Sequence, residues 1–240
     1  MSGLMLHAGA QRVGRQNLLS LPTPEPTDTH KPIAHSRVIA GIIEALAYRR
    51  INVVRDEYGV SPDGMRMFGF LELDIEREGL RLGIACRNAN DKAFALGLVA
   101  GYRTFICDNL AFRGDFQAIT RKHSKTLERE LQDVLAVGVD RGQRQFEPML
   151  AQVDAWRNHQ LADLQAKAII YDAFVREQVD APKHLMRDVD SLYFEPQYHE
   201  FRPRTLYSMQ NAFTSAFQKL DPIPMYRATT SAGEYFTAIQ

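Results

Sequence analysis

The densest group of side chains able to do chemistry lies in residues 87–92, directly after a run of apolar residues. It holds one guanidinium, two amides, one carboxylate and one ammonium group. A guanidinium can bind phosphate or carboxylate through two hydrogen bonds, and an asparagine amide offers a donor and an acceptor to a base edge. The pattern predicts a binding loop, although Asn and Asp also build ordinary turns with local ion pairs. The candidate binding residues of this loop are Arg87, Asn88, Asn90, Asp91 and Lys92.

A second polar group, Cys107-Asp108-Asn109, follows the predicted strand residues 104–106. Neighbouring residues on a strand point to opposite faces, so Cys107 and Asp108 cannot simply act together. A nucleophilic cysteine also needs a base, and the nearest histidine in sequence is His123. A buried structural cysteine before an Asp/Asn turn fits the same residues. We therefore assign no catalytic residue, keep a Cys/His-dependent enzyme as an alternative, and count Asn109 as a further polar contact.

The densest basic cluster is Arg121-Lys122-His123, with Lys125 close behind it. Together with residues 87–92 and Arg103, it could form a local surface that binds the phosphates of DNA or RNA. The start of a solvated helix would give the same pattern. The candidate residues added by this cluster are Arg103, Arg121, Lys122 and His123.

Metal and cofactor motifs are missing from the sequence. Its two cysteines and seven histidines show no ligand spacing typical of a metal site, and it has no Walker, GxSxG or HExxH motif. We expect no metal and no cofactor.

Alternating and helical patterns indicate the elements that must position these side chains. Residues 36–48 carry an apolar stripe at helical spacing, with Ser36 as the expected N-cap. Residues 51–60, 65–75 and 80–86 read as three strands of an antiparallel meander. Beyond residue 115 the pattern is mainly helical, with a last helix at residues 205–219, a break at residues 221–224 and an aromatic-containing tail.

The predicted fold is therefore α+β, an antiparallel sheet of about four to five strands flanked by an N-terminal helix and long C-terminal helices. The expected divisions are an extended proline-containing arm at 1–32, a sheet core at 33–115 and a helical part at 116–240. The long amphipathic helices are compatible with a homo-oligomer, since their apolar stripes could form a dimer surface.

Composition excludes several classes of protein. A hydrophobic fraction of 45% supports a real core, and the 29 basic and 29 acidic residues cancel, so nucleic-acid binding would need a local patch. No apolar run is long enough for a membrane span, and the N-terminus lacks a signal-peptide core. Cys86 and Cys107 fit reduced thiols, although one bridge between them is compatible with the count. We expect a cytoplasmic protein without a membrane partner.

The motifs resemble those of the phage/plasmid-related protein family of unknown function (domain of unknown function 932). That family shows an Arg-Asn-Ser-x-Asp-Gly segment, a Cys-x-Asn turn and an Arg-His pair, which correspond here to residues 87–92, 107–109 and 121–123. Its C-terminal Thr-x5-Asn-Ala-x-Thr helix corresponds to residues 205–214. Ala89, Lys92 and the inserted Lys122 depart from the pattern. The resemblance covers about residues 22–219 and implies a bacterial mobile-element setting, with no established activity.

Three functions remain from the sequence. The preferred one is a non-enzymatic phage or plasmid accessory protein associated with DNA or RNA, through single-strand binding or recombination. The second is an interaction protein that inhibits a host defence protein through its helical surface. The third is the Cys/His-dependent enzyme.

Overall fold

The computed structural model describes residues 11–77, 79–104, 110–220 and 222–240, which form one antiparallel sheet with helices packed against it. The strands are β1 (Gln11–Val13), β2 (Val53–Val60), β3 (Arg66–Arg77), β4 (Leu80–Ala89), β5 (Leu96–Thr104) and β6 (Leu110–Arg121). They lie side by side in sequence order. The fold is α+β as predicted, and its six strands exceed the expected four to five.

Seven helices are seen within the described residues. They are α1 (His35–Tyr48), α2 (Lys125–Arg144), α3 (Phe146–Asn158), α4 (Asp163–Phe174), α5 (Met186–Phe194), α6 (Leu206–Phe217) and α7 (Pro222–Ala238). Short 3-10 helices lie at Arg15–Ser20, Lys183–Leu185 and His199–Phe201.

One face of the sheet packs against α2, which in turn packs against α1. A glycine lies at each contact. A Cβ on Gly138 would lie 3.0 Å from Ile119 Cδ1 of β6, and a Cβ on Gly41 of α1 would lie 2.5 Å from Leu135 Cδ1 of α2. A larger residue at either position would require the facing side chain to shift, so the two glycines allow the layers to pack closely.

The N-terminal arm contributes more structure than the sequence predicted. β1 forms an edge of the sheet and pairs with β2, and Leu18 of the following 3-10 helix is 1% exposed. The helix α1 begins at His35 as expected, but its N-cap is Ala34 rather than Ser36, and no side chain caps it.

Two elements in the second half of the chain differ from expectation. β6 runs on to Arg121, so the proposed division at 115/116 falls inside a strand. The tail, which was expected only after a break at residues 221–224, forms a further helix, α7, which begins at Pro222 and packs against α6 and β6. Pro222 stands at the first position of that helix, where a missing N–H costs no hydrogen bond.

Candidate functional site

One end of the sheet carries most of the predicted site residues. We call it the rim; it is marked by the paired strand ends Arg66 with Ala89, and Leu96 with Arg121. Because β5 runs antiparallel between β4 and β6, residues 87–92 and 121–123 become spatial neighbours although they are distant in sequence. The two predicted polar clusters therefore share one end of the sheet.

Five polar side chains are buried together at the rim, and we call them the histidine–asparagine cluster. They are His30, His35, Asn88, Asn90 and His123, which are between 0% and 8% exposed. β4 extends beyond its predicted end at Cys86, and strand alternation then places Asn88 on the inward face that Ile84 and Cys86 also occupy.

Asn88 uses both ends of its amide within the cluster. Its Nδ2 donates to the Ile33 carbonyl at 2.9 Å and contacts His35 Nδ1 at 2.8 Å, and its Oδ1 lies 2.7 Å from His123 Nε2. An amide oxygen only accepts, so His123 carries its proton on Nε2. An amide nitrogen only donates, so His35 Nδ1 accepts and His35 Nε2 donates to the Gly64 carbonyl at 3.0 Å. The network thus determines both tautomers.

Asn90 ties the segment before α1 to the sheet. Its Oδ1 accepts a hydrogen bond from the Ile33 N–H at 3.0 Å, and its carbonyl lies 2.9 Å from His30 Nε2, which donates to it. Its own N–H donates to the Met65 carbonyl at 2.8 Å. Asn90 therefore joins three parts of the chain: the segment before α1, the start of β3 and the β4–β5 turn.

Burial keeps the imidazoles of His35 and His123 neutral. It lowers the pKa of His123 to about 4, with smaller contributions from the nearby His30 and His35. Burial likewise lowers the pKa of His35, opposed in part by the hydrogen bond to Gly64. At neutral pH these rings act as hydrogen-bonding groups inside the protein. Asn88, Asn90 and His123 were predicted to contact nucleic acid, but their side chains are buried and bonded to protein groups instead.

Arg103 does not lie at the rim. It pairs with Arg81 near the far end of β5 and is 2% exposed. Its guanidinium forms ion pairs with Glu57 at 3.2 Å and Glu72 at 2.9 Å, both carboxylates being buried. Burial raises the pKa of Glu72, although the positive charge of Arg103 acts in the opposite direction. The predicted phosphate contact is therefore a structural ion pair, because the strand places this side chain among carboxylates rather than in solvent.

The opposite face of the rim carries an aromatic pair with an arginine stacked on it. The Phe68 and Phe94 ring centroids are 5.3 Å apart, and both rings are partly exposed. Arg87 pairs with Phe68 across the strands, and its guanidinium lies over the Phe94 ring at 5.5 Å. The Arg87 side chain runs across Gly97, where a Cβ would lie 3.1 Å from its Nε. Gly97 thus leaves room for the arginine to lie flat.

Exposed cations occur at the same end of the sheet, although Arg121, which pairs with the buried Leu96, lies on the opposite face from Arg87 by strand alternation. Lys92, in the β4–β5 turn, and Arg121 and Lys122, at the end of β6, are all exposed. Asp91 is also exposed, and Arg66 Nε donates to its Oδ2 at 2.6 Å. Because Arg66 neutralises the one acidic candidate, the carboxylate of Asp91 offsets little of the positive charge at the rim.

The remaining predictions concern cysteines and residue 109. Asn109 and Cys107 lie outside the described residues, and β5 reaches Thr104 at the end of the sheet opposite the rim. Cys86 is a free, buried cysteine, and burial raises the pKa of its thiol to about 12. This thiol is therefore not an activated nucleophile.

The described ranges contain neither a group of metal-binding side chains nor a membrane-spanning helix. No group of three or more His, Cys, Asp or Glu side chains there could hold a metal ion. None of the helices seen in those ranges is both long and apolar enough to cross a membrane.

Sequence reasoning missed four residues of this region: His30, His35, Phe68 and Phe94. The alternation of β4 contained a usable signal, because its continuation beyond Cys86 would have placed Asn88 and Asn90 inward and Arg87 outward. His30 and His35 join the cluster only because the N-terminal arm packs against this end of the sheet, and no local sequence pattern predicts that packing.

The family model described as "Domain of unknown function (DUF932)" matches residues 28–235. The chain therefore belongs to this family, and the match includes both the histidine–asparagine cluster and the rim. No curated protein and no solved structure matches the chain.

Proposed function

We propose that this member of the DUF932 family binds single-stranded nucleic acid at the rim. The observation that carries the proposal is the partly exposed Phe68–Phe94 pair with Arg87 stacked on it, bordered by exposed cations. We further propose a phage or plasmid as its setting, which the resemblance in sequence implies.

The aromatic pair supplies the part of the site that favours single strands. Every base has a π-face, so stacking on an aromatic ring tolerates any sequence and contributes about 1–3 kcal/mol per base. The bases of a duplex are already stacked on one another and cannot reach Phe68 or Phe94. A guanidinium plane such as that of Arg87 offers a further stacking surface.

The cations supply the contacts to the backbone. Lys92, Arg121 and Lys122 are exposed at the same end of the sheet as the aromatic pair, where each can approach one phosphate of a strand that passes over the rim. The chain has a formal net charge of zero, so attraction to nucleic acid depends on this local patch and will fall steeply as salt is added.

Fluorescence anisotropy with labelled oligothymidylate, the matching RNA and a duplex, begun at about 50 mM salt, tests the proposal. We expect tighter binding of the single strands. Phe94→Ala should weaken binding about tenfold by removing one stacking surface. Lys122→Ala should reduce the slope of log affinity against log salt by about 0.7, the value of one phosphate contact on a single strand.

The matched control is Arg202→Ala, which removes an exposed cation that lies outside the rim, next to the 3-10 helix at His199–Phe201. It should leave both affinity and salt slope unchanged. Absence of binding to every single strand at low salt would refute the proposal, as would Phe94→Ala binding as tightly as the wild type.

A protein partner is the second candidate, and one observation favours it. Leu164, Tyr171 and Val175 are 80%, 48% and 43% exposed, and their spacing places them on one side of α4 and its C-cap. An inhibitor of a host defence protein could dock through this stripe. Recovery of one stable host partner by the wild type, and its loss in a Leu164→Glu variant, would favour this function over nucleic-acid binding.

A further inference from the structure

A cavity of about 180 Å³ lies between α5, α6 and the segment at residues 196–201. On α6 it is lined by Ser208, Asn211 and Ser215, whose spacing places them on one face of the helix. Its other side includes the rings of Tyr198 and Phe201, which meet edge to face at a centroid distance of 6.1 Å. Hydroxyl and amide groups thus face aromatic rings across a small space.

The lining determines the charge of any ligand. Among the lining residues that the structure describes, none carries a formal charge at neutral pH. An ion would therefore lose its hydration without gaining a counter-ion, which is strongly unfavourable. The hydroxyls of Ser208 and Ser215 and the amide of Asn211 instead suit an uncharged molecule with hydrogen-bonding groups at its edge.

Ser208 offers a hydrogen-bond donor to the cavity. Thr205 Oγ1 accepts a hydrogen bond from the Ser208 N–H at 3.1 Å, and its own proton then donates to Ser208 Oγ at 3.2 Å. Ser208 is 3% exposed, and its hydrogen bond with Thr205 uses only one of the two hydroxyl protons, so with Thr205 as the donor the proton of Ser208 can point into the cavity. A buried hydroxyl without an acceptor is unfavourable, and a ligand carbonyl or ring nitrogen in the cavity would satisfy it.

The size of the cavity limits the ligand to about one ring. An apolar cavity of about 150 Å³ accommodates benzene, so the space here fits a six-membered ring with one or two substituents. We propose that the cavity binds an uncharged single-ring nitrogen heterocycle of the pyrimidine-base type. Its carbonyl or ring nitrogen accepts from Ser208, and its face packs against the rings of Tyr198 and Phe201. A nucleoside can supply this ring with its ribose outside the cavity, and because a free nucleoside carries no phosphate, the proposal is independent of the rim.

Titration of the isotope-labelled full chain with uridine, cytidine and adenosine, followed by amide chemical shifts, tests the inference. We expect saturable shifts along α6 for the two pyrimidines, with a dissociation constant of about 1 mM, and much weaker binding of the larger purine. An oligonucleotide arm then distinguishes a free nucleoside from a base within a strand.

Two variants separate the contribution of the Ser208 hydrogen bond from that of the aromatic rings. Ser208→Ala removes the donor and should weaken uridine binding about fivefold to tenfold. Tyr198→Ala changes a partly exposed side chain, so folding is retained, and should weaken binding about tenfold. Ser191→Ala, an exposed serine of α5, is the matched control. The inference is overturned if no nucleoside gives saturable shifts, if adenosine binds as tightly as uridine, or if neither variant changes the affinity.

Discussion

The buried imidazole of His123 should make the protein sensitive to mild acid. The folded state holds its pKa at about 4, whereas a histidine in an unfolded chain has a pKa of about 6.5. Between these values the unfolded chain binds a proton that the folded protein does not. Folding stability is therefore full above about pH 6.5 and falls as the pH decreases toward 4.

The size of this loss follows from the two pKa values. Lowering the pH from about 7.5 to about 5 should remove about 2 kcal/mol through His123 alone. His35, whose pKa burial also lowers, changes stability in the same direction. The neutral His123 ring already donates from Nε2 to Asn88 Oδ1. A second proton, on Nδ1, would therefore gain no hydrogen bond to Asn88.

Substitution His123→Gln isolates this contribution. A glutamine amide can still donate to Asn88 Oδ1, but it does not gain a proton in this pH range. Urea denaturation, followed by the fluorescence of the single, buried Trp156, gives the free energy of unfolding at each pH. The variant should lose about 2 kcal/mol less than the wild type between about pH 7.5 and about pH 5.

The matched control is His184→Gln, since that side chain is exposed and lies outside the histidine–asparagine cluster. It should lose as much stability on acidification as the wild type. Equal losses in His123→Gln and the wild type would refute the assignment of His123 as a buried neutral imidazole.

Three further predictions concern other parts of the fold. Arg103→Met removes the buried cation from Glu57 and Glu72, which retain ion pairs with the half-exposed Arg55, and should lower the free energy of unfolding by about 3 kcal/mol in urea denaturation; a loss below about 1 kcal/mol would contradict the pairing. Lys92 has a φ of 69°, where glycine is unstrained, so Lys92→Gly should raise stability by about 0.5–1 kcal/mol, and a lower stability would contradict this. Cys86, with a pKa of about 12, should resist iodoacetamide in the native protein and react in urea, as mass spectrometry of its peptide would show; rapid native labelling would contradict its burial.

Local patterns were enough to predict α1 and the strands β2 to β4, because alternation, helical spacing and the turn at residues 61–64 all agree there. They were not enough for β1, whose three residues become a strand through pairing with Val60 and its neighbours on β2. β6 contains Gly114 and Asp115, which disfavour strands by themselves, so its pairing with β5 outweighs local propensity. Pro222 and Pro224 suggested the end of a helix, yet both lie in the first turn of α7.

The predicted site residues proved to be of two kinds, buried and exposed, which local patterns did not separate for a similar reason. Composition correctly drew attention to residues 87–92 as an unusual polar segment, but whether each side chain points inward or outward depends on where β4 ends. With β4 extending to Ala89, Asn88 turns inward and Arg87 turns outward. The histidines that complete the buried network come from the segment before α1 and from the chain after β6, and only the folded chain brings them together.

Variants of the buried and of the exposed residues in 87–92 should therefore have different effects. Asn88 and Arg87 are adjacent, yet Asn88 bonds the segment before α1 and the chain after β6, whereas Arg87 stacks on Phe94 at the rim. Loss of nucleic-acid binding in an Asn88 variant would therefore accompany lower stability, since the same network holds the β4–β5 turn in place. Phe94→Ala alters only the partly exposed surface, so a loss of binding without a comparable loss of stability there would identify the rim itself as the contact surface.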